Sequence, residues 1–249
     1  MSETQVAVLL VAGVGERLRP LTNDRPKALI DVGGESMLAR ATRLLVESGV
    51  NELILATGYL EEAVRAAMAS CPVNVTYCRN DAYDRTQNSV SLSLCRQAIR
   101  GRSFYKLDGD VLFDKRVLKR LASAPEGIST AIERRNDMGA EEMKVHVEVG
   151  SKKILSFGKH LDPARSYGES IGIERVSGPA VERLFDRLDE LISGGKTNLY
   201  YEDVYSQLIA EGVPSWMVEI TDLKWAEVDT PEDLDIAKAL VKSGALEGG

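Results

Sequence analysis

QVAVLLVAGVGERLRPLTNDRPKALIDVGG, residues 5–34, starts as an unbroken apolar run from Val6 to Ala12 and then changes to glycines, arginines, prolines and a lysine. A continuous apolar run suits a strand covered on both faces, and helices on either side of a parallel sheet provide such cover. The next segments fit that frame. In ESMLARATRLLVESG (35–49), Met37, Leu38, Ala41, Leu44 and Leu45 recur at helical spacing; ELILATG (52–58) carries a continuous apolar run from Leu53 to Ala56; EEAVRAAMAS (61–70) is helical again; VNVTYC (73–78) is a third strand. The order is βαβαβ, and the handedness of such crossovers predicts a mainly parallel sheet with helices on both sides.

Further along, SVSLSLCRQAI (89–99) reads as one helix, SFYKLDGDVLF (103–113) as one strand, KRVLKRLASA (115–124) as a helix and ISTAIER (128–134) as a strand. KVHVEVG (144–150), KKILSFG (152–158) and SIGIERV (170–176) read as short antiparallel strands, followed by a helix-rich segment over 178–212. A last strand near KWAEV (224–228) runs into TPEDLDIAKALVKSG, where Thr230 is placed to cap a helix, Pro231 to occupy its first position and Asp233 to complete a capping box. The expected fold is a Rossmann-like three-layer α/β/α arrangement with a mixed, mainly parallel central sheet and a small antiparallel excursion in the second half. One domain over 1–249 is expected, with a nucleotide-binding part over about 1–135, an acceptor-binding part over about 136–225 and a closing strand and helix over about 226–249.

The chain has 249 residues and a net charge of −7, which argues against a general nucleic-acid binder; any cationic site must be local. Cys71, Cys78 and Cys95 are odd in number and lack CxxC spacing, so neither a disulfide framework nor a zinc cluster is expected. The Val6–Val11 run is too short to span a bilayer, and Glu3 stands where a signal peptide needs positive charge. A cytoplasmic protein without membrane or nucleic-acid partners is expected, with self-association left open.

Open α/β sheets bind ligands beyond the carboxyl ends of their strands. Three such junctions stand out: the glycines at Gly13 and Gly15, the Asp108–Asp110 pair, and Asp229. The first lacks the third small residue of a dinucleotide fingerprint, Leu18 standing in its place, and it lacks the GKS or GKT of a P-loop. What it does contain is GxGxRLxPLTxxxPK. The glycines let backbone amides approach phosphate oxygens, Arg17 and Lys27 supply the charge a triphosphate requires, and Pro20 and Pro26 stiffen the loop. In an extended chain Asp108 and Asp110 point to one face, and hard oxygen ligands at a strand end suit Mg²⁺. The bland alternatives are a surface turn for the loop, turn formation for the two aspartates and helix punctuation for Asp229.

LLVAGVGERLRPLTNDRPKALIDVGG, residues 9–34, resembles the signature of nucleotidyltransferases, which join a nucleoside triphosphate to a phosphorylated small molecule and release pyrophosphate. The resemblance implies that Leu10, Ala12, Gly13 and Gly15 lie over the nucleotide, that Arg17 contacts the departing phosphates, and that Lys27 bridges phosphates in the transition state. It also implies a metal aspartate at Asp110, a second at Asp229, and Asp108 beside the nucleotide. Asp110 and Asp229 can meet only if the last strand returns beside the central one.

Enzymes of this kind that activate hexose phosphates usually carry EKP-like and GxAG-like segments; SFGKHL (156–161) and YGESIGI (167–173) stand there instead. With EEMKVHV (141–147), they are similar to the branch making CDP-linked headgroups: phosphocholine, 2-aminoethylphosphonate and inositol phosphate cytidylyltransferases. The implied reaction joins CTP to a small phosphorylated or phosphonate acceptor with Mg²⁺. Lys159 then matches a catalytic lysine that binds the acceptor phosphate, Glu169 fits the acceptor side, and Asn88 and Ser89 face the nucleotide unless they merely cap a helix. An ammonium-bearing acceptor favours aromatic faces and carboxylates, for which Tyr83, Tyr201, Glu202, Asp203 and Trp225 are candidates, although YYEDVYSQLIAEG (200–212) also has the spacing of a core-packed helix. His146 and His160 are not needed, because the acceptor oxyanion is already a nucleophile. Sugar-1-phosphate nucleotidyltransfer, a metal-dependent glycosyltransferase and a non-catalytic paralogue are the alternatives.

Overall fold

The structure is a computed structural model that describes residues 4–247; Glu3, weighed above, lies outside the described residues. In chain order the elements are β1 (Val6–Leu10), α1 (Met37–Glu47), β2 (Glu52–Thr57), α2 (Glu61–Ala67), β3 (Asn74–Arg79), α3 (Asn88–Ser93), α4 (Arg96–Ile99), β4 (Phe104–Asp108), β5 (Val111–Phe113) and α5 (Arg116–Ala122). They continue with β6 (Gly127–Arg134), β7 (Lys144–Val147), β8 (Ile154–Gly158), β9 (Gly168–Ser177), α6 (Ala180–Ser193), α7 (Tyr201–Ala210), β10 (Ser215–Glu219), β11 (Trp225–Glu227) and α8 (Pro231–Lys242).

A nine-stranded sheet runs in the order β10-β6-β9-β4-β1-β2-β3, with β7 and β8 attached beside β9. β1 is parallel to both β2 and β4, and β2 to β3. β9 enters antiparallel to β4 and β6, so the sheet is mixed and mainly parallel in its first half. Chain order reverses between β1 and β4, where Leu10 stands opposite Asp108 at the carboxyl ends of both strands. In open α/β sheets that crevice is where ligands bind.

Strand alternation sorts the core into layers. Val6 and Val8 of β1 pack on one side with Leu92 of α3, Ile99 of α4, and the inner faces of α6 and α7. Ala7 and Leu9 face the other side with α1, Val64 of α2 and Val117, Leu118 and Leu121 of α5. A third cluster joins Leu18, Ile30, Leu112, Val228, Leu234 and Ala237, fastening α8 and the glycine loop to β5 and β11.

Three expectations require correction, and one strand went unread. Residues 89–99 form two short helices rather than one, with Leu94 and Cys95 between them. Residues 103–113 form two strands in different sheets: β4 ends at Asp108, and β5 pairs antiparallel with β11. SIGIERV belongs to β9, a ten-residue, fully buried central strand and not a short one, because it is flanked by β4 and β6; β7 and β8 form the small antiparallel excursion. The edge strand β10, parallel to β6, was not foreseen, since SWMVE follows a helix with no turn signal beyond Gly212 and Pro214. The GKT triplet at 195–197 lies in the turn after α6, with Glu190 where the P-loop pattern needs its first glycine. No helix among the described residues is long and apolar enough to cross a membrane.

Candidate active site

The loop after β1 is folded by its own backbone and one tyrosine. Gly15 sits at φ 68°, a left-handed conformation that suits glycine, and a Cβ there would stand 2.9 Å from Cβ of Lys27. Thr22 Oγ1 donates to the Gly15 carbonyl at 2.9 Å, and Tyr59 Oη donates to the carbonyls of Thr22 and Asn23 at 3.0 and 2.9 Å. The loop thus delivers Lys27, only 9% exposed, to the carboxyl ends of the strands.

There Lys27 Nζ meets two carboxylates from remote parts of the chain, Asp110 Oδ2 at 2.6 Å and Asp229 Oδ1. Arg17 Nη2 reaches Asp229 Oδ2 at 2.6 Å from the solvent side. The β5–β11 pairing makes the meeting possible: Glu227 stands opposite Val111, and the Val228 amide donates to the Asp110 carbonyl at 3.1 Å. Asp229 is steadied by its own amide, which donates to Asp233 Oδ2 at 3.1 Å, within the capping box that Thr230 and Asp233 form at the start of α8. The strand that brings Asp229 home therefore pairs with β5, not with the central sheet.

Asp110, Glu227 and Asp229 each place a carboxylate oxygen within 4.8 Å of the others. Glu227 was not among the candidates drawn from sequence; the signal was its i, i+2 relation to Asp229, which turns both side chains to one face of an extended chain. Glu227 is exposed at the edge of the cluster, and partial desolvation there together with the like charges of Asp110 and Asp229 raises its carboxyl above the usual value. Burial would lower the Lys27 pKa, but Asp110 and Asp229 override it and hold the ammonium well above its usual value. Burial likewise acts to raise the pKa of Asp229, and Lys27 more than reverses it, so that Asp229 is held low; Arg17 and Lys159 add to the effect. Asp110 Oδ1 is buried without a hydrogen-bond partner. Three hard carboxylates, one with an unsatisfied oxygen, are a donor set suited to Mg²⁺.

Beside this cluster lies a cleft of about 310 Å³, within the range of small-ligand sites. Leu10, Ala12 and Gly13 line it with the acidic Asp108, Asp110 and Glu227 and with a polar wall of Thr86, Gln87, Asn88 and Ser91. The last wall is organised from below by buried Asn80, whose amide donates to Thr86 Oγ1 and Ser91 Oγ at 3.0 Å each. Asp108 and Asp110 both face the cleft although the chain between them leaves the sheet, so the extended-strand argument for their common face does not apply.

Not every candidate residue reaches this cleft. Ser89 is 1% exposed and donates its hydroxyl to the Leu199 carbonyl at 2.6 Å, so it ties helix to loop instead of facing the cleft. Tyr83 lines the cleft together with Gly13 and Asn88, its ring 6.2 Å from that of Tyr59. Tyr201 and Glu202 are 0% and 5% exposed, because the inward face of α7 packs onto the sheet; they cannot cage an acceptor there. Lys159 follows β8, with Nζ 3.3 Å from Glu141 Oε2 and 4.9 Å from the Tyr200 ring centre. Glu169 on β9 is buried, and burial pushes its carboxyl up to about 7 against the pull of Arg135, whose Nη1 donates to it at 2.8 Å.

With this geometry in place, sequence comparison is decisive: the profile of the MobA-like NTP transferase domain matches residues 7–170, from β1 into β9. The chain belongs to this family. Among relatives of this MobA-like NTP transferase, a CMP-5'-(3-aminopropyl)phosphonate synthase of Streptomyces rubellomurinus is 33% identical over 91% of the chain. The chain spans only 37% of that relative's own length. A choline-phosphate cytidylyltransferase of Streptococcus pneumoniae is 24% identical over 95% of the chain and 98% of the relative. The inositol-1-phosphate CTP transferase of T. maritima superposes with a TM-score of 0.81 at 21% identity, covering 100% of this chain and 99% of that one, which shows a shared fold.

Proposed function

We propose that this chain is a metal-dependent cytidylyltransferase, which joins CTP to a small phosphorylated or phosphonate headgroup and releases pyrophosphate. The observation that carries the reading is the convergence of Lys27 and Arg17, from the first loop, with Asp110, Glu227 and Asp229 at the mouth of one nucleotide-sized cleft. The names of the phosphonate and choline-phosphate relatives support CTP and a headgroup acceptor.

In this reading the loop backbone at Gly13 and Gly15 approaches the phosphates, and Arg17 and Lys27 neutralise the triphosphate. Lys159 holds the acceptor oxyanion in line with the α-phosphorus. The acceptor oxygen is already a nucleophile, so alignment and charge neutralisation carry most of the catalysis. Asp110, Asp229 and Glu227 would hold Mg²⁺, which when bound supplies further positive charge to the phosphates.

The test is a pyrophosphate-release screen of the four nucleoside triphosphates against phosphocholine, 2-aminoethylphosphonate, inositol phosphate and hexose 1-phosphates, with Mg²⁺ and with EDTA. Release with CTP and a headgroup acceptor, abolished by EDTA and restored by Mg²⁺, is expected. Activity confined to a hexose phosphate with UTP or dTTP overturns the headgroup assignment, and nucleotide release without pyrophosphate overturns the reaction class.

A further inference from the structure

Under the nucleotide cleft lies a buried polar cluster that the reaction described above does not use. Lys106 of β4 is 0% exposed, and its Nζ is 3.1 Å from Asp108 Oδ1, 2.9 Å from Glu174 Oε2 and 3.4 Å from the centre of the Tyr201 ring. Tyr201 Oη donates to the other Asp108 oxygen, Oδ2, at 2.7 Å. Gly172 of β9, at φ 72°, closes the third side: a Cβ there would stand 2.3 Å from Asp108 Oδ2. Both oxygens of one cleft-lining carboxylate are thus held by groups inside the protein. Burying a lysine among carboxylates is a poor way to gain stability, since well-packed apolar residues do as well or better. The arrangement therefore points to geometry.

The residue that completes this hold opens α7, and its neighbour serves the other half of the site. Tyr201 donates its amide to Asn88 Oδ1 at 3.0 Å, joining the turn to the nucleotide wall, and Gln87 donates its amide to the Thr197 carbonyl at 2.9 Å in the same region. Tyr200, one residue earlier, is half-buried against the core and carries Lys159 over its ring, 4.9 Å from ring centre to Nζ. Its amide is anchored on Asp203 Oδ2 at 2.9 Å. Two consecutive tyrosines on one anchored turn thereby touch one residue of each subsite.

We propose that the first turn of α7 is a positioning element shared by both substrates: Tyr201 fixes Asp108 toward the nucleotide, and Tyr200 fixes Lys159 toward the acceptor oxyanion. The inference rests on the cytidylyltransferase reading for the identity of the substrates. Neither tyrosine touches the reacting atoms; each acts through the residue it holds.

Tyr201→Phe keeps the ring against Lys106 and Tyr205 and removes only the hydroxyl. It raises the KM for the nucleotide about tenfold, the worth of a hydrogen bond to a charged group, and leaves the acceptor KM within about twofold. Tyr200→Leu does the converse, raising the acceptor KM roughly threefold as the contact with Lys159 is lost, while Tyr200→Phe, which keeps the ring face but loses the hydroxyl that also bonds Lys159, falls between the two. Calorimetric titration of wild type and Tyr201→Phe with each of the four triphosphates and Mg²⁺ reads the nucleotide half without any acceptor. An unchanged nucleotide affinity in Tyr201→Phe overturns the proposal. So do variants that raise both KM values together in step with a fallen Tm, which is the mark of a merely structural turn. Because the titration needs no turnover, a failed acceptor screen overturns the functional reading alone.

Discussion

At the scale of the residue, Lys27 is the clearest case of a side chain whose chemistry is made by its neighbours. At 9% exposure burial acts to lower its pKa, yet Asp110 and Asp229 outweigh that and keep it charged, and it in turn holds the Asp229 pKa low. Lys27→Ala is expected to lower kcat at least a hundredfold, as removal of a preorganised charge at a transition state does, with circular dichroism unchanged; near-normal pyrophosphate release would sink the assignment of this lysine. Glu169 gives a prediction for pH. Its folded carboxyl is pushed up to about 7 by burial, above the ordinary value of 4.5, so the folded state prefers the protonated form. Its contribution to stability is complete below about pH 4.5 and is lost as pH rises through about 7. Glu169→Gln, permanently neutral, should gain on wild type by on the order of 1–2 kcal/mol in urea midpoints between pH 5 and pH 8. Curves that stay parallel over that range would contradict the assignment.

At the scale of the element, α8 illustrates how a helix start can serve a site. Thr230, Pro231 and Asp233 are read directly from sequence as cap, first-turn proline and capping box, and all three occupy those places. The structure adds that Asp233 Oδ2 also accepts the Asp229 amide, so the box orients a proposed metal ligand. Asp233→Ala is expected to cost about 1 kcal/mol of stability and to raise the Mg²⁺ concentration needed for half-maximal activity. Lower stability with an unaltered Mg²⁺ requirement would confine Asp233 to a structural role. Other elements were less legible. SFYKLDGDVLF reads as one strand because its apolar residues run through Gly109, and only the partner β11 draws Val111–Phe113 into a second sheet. SIGIERV reads as a short strand because period and length do not show that β4 and β6 enclose it.

At the scale of the whole molecule, the first and second halves of the chain share one sheet. β9, from the second half, lies between β4 and β6 of the first, and one core cluster draws on β1, β2, β9, α6 and α7. We propose that the chain unfolds as one cooperative unit, with calorimetric and van't Hoff enthalpies in agreement in a single thermal transition. Two resolved transitions, one silenced by nucleotide, would divide it near residue 135 instead. Glu227 belongs to this scale too, because its meaning depends on β11 crossing to β5 and on no feature of its own segment.

The amino-acid order alone determined the alternation of strands and helices, the glycine-rich, cationic character of the first loop, and the helix cap after Asp229. Each of these rests on interactions spanning a few residues: apolar periodicity, glycine and proline torsions, and side chains bonding to nearby amides. Tertiary structure alone decided that Ser89, Tyr201 and Glu202 turn inward, that Glu227 joins Asp110 and Asp229, and that the turn at Tyr200 and Tyr201 touches both Lys159 and Asp108. Burial and the meeting of distant carboxylates follow from how layers stack and which strands pair. Those are properties of pairs of elements, and no local stretch of chain carries them.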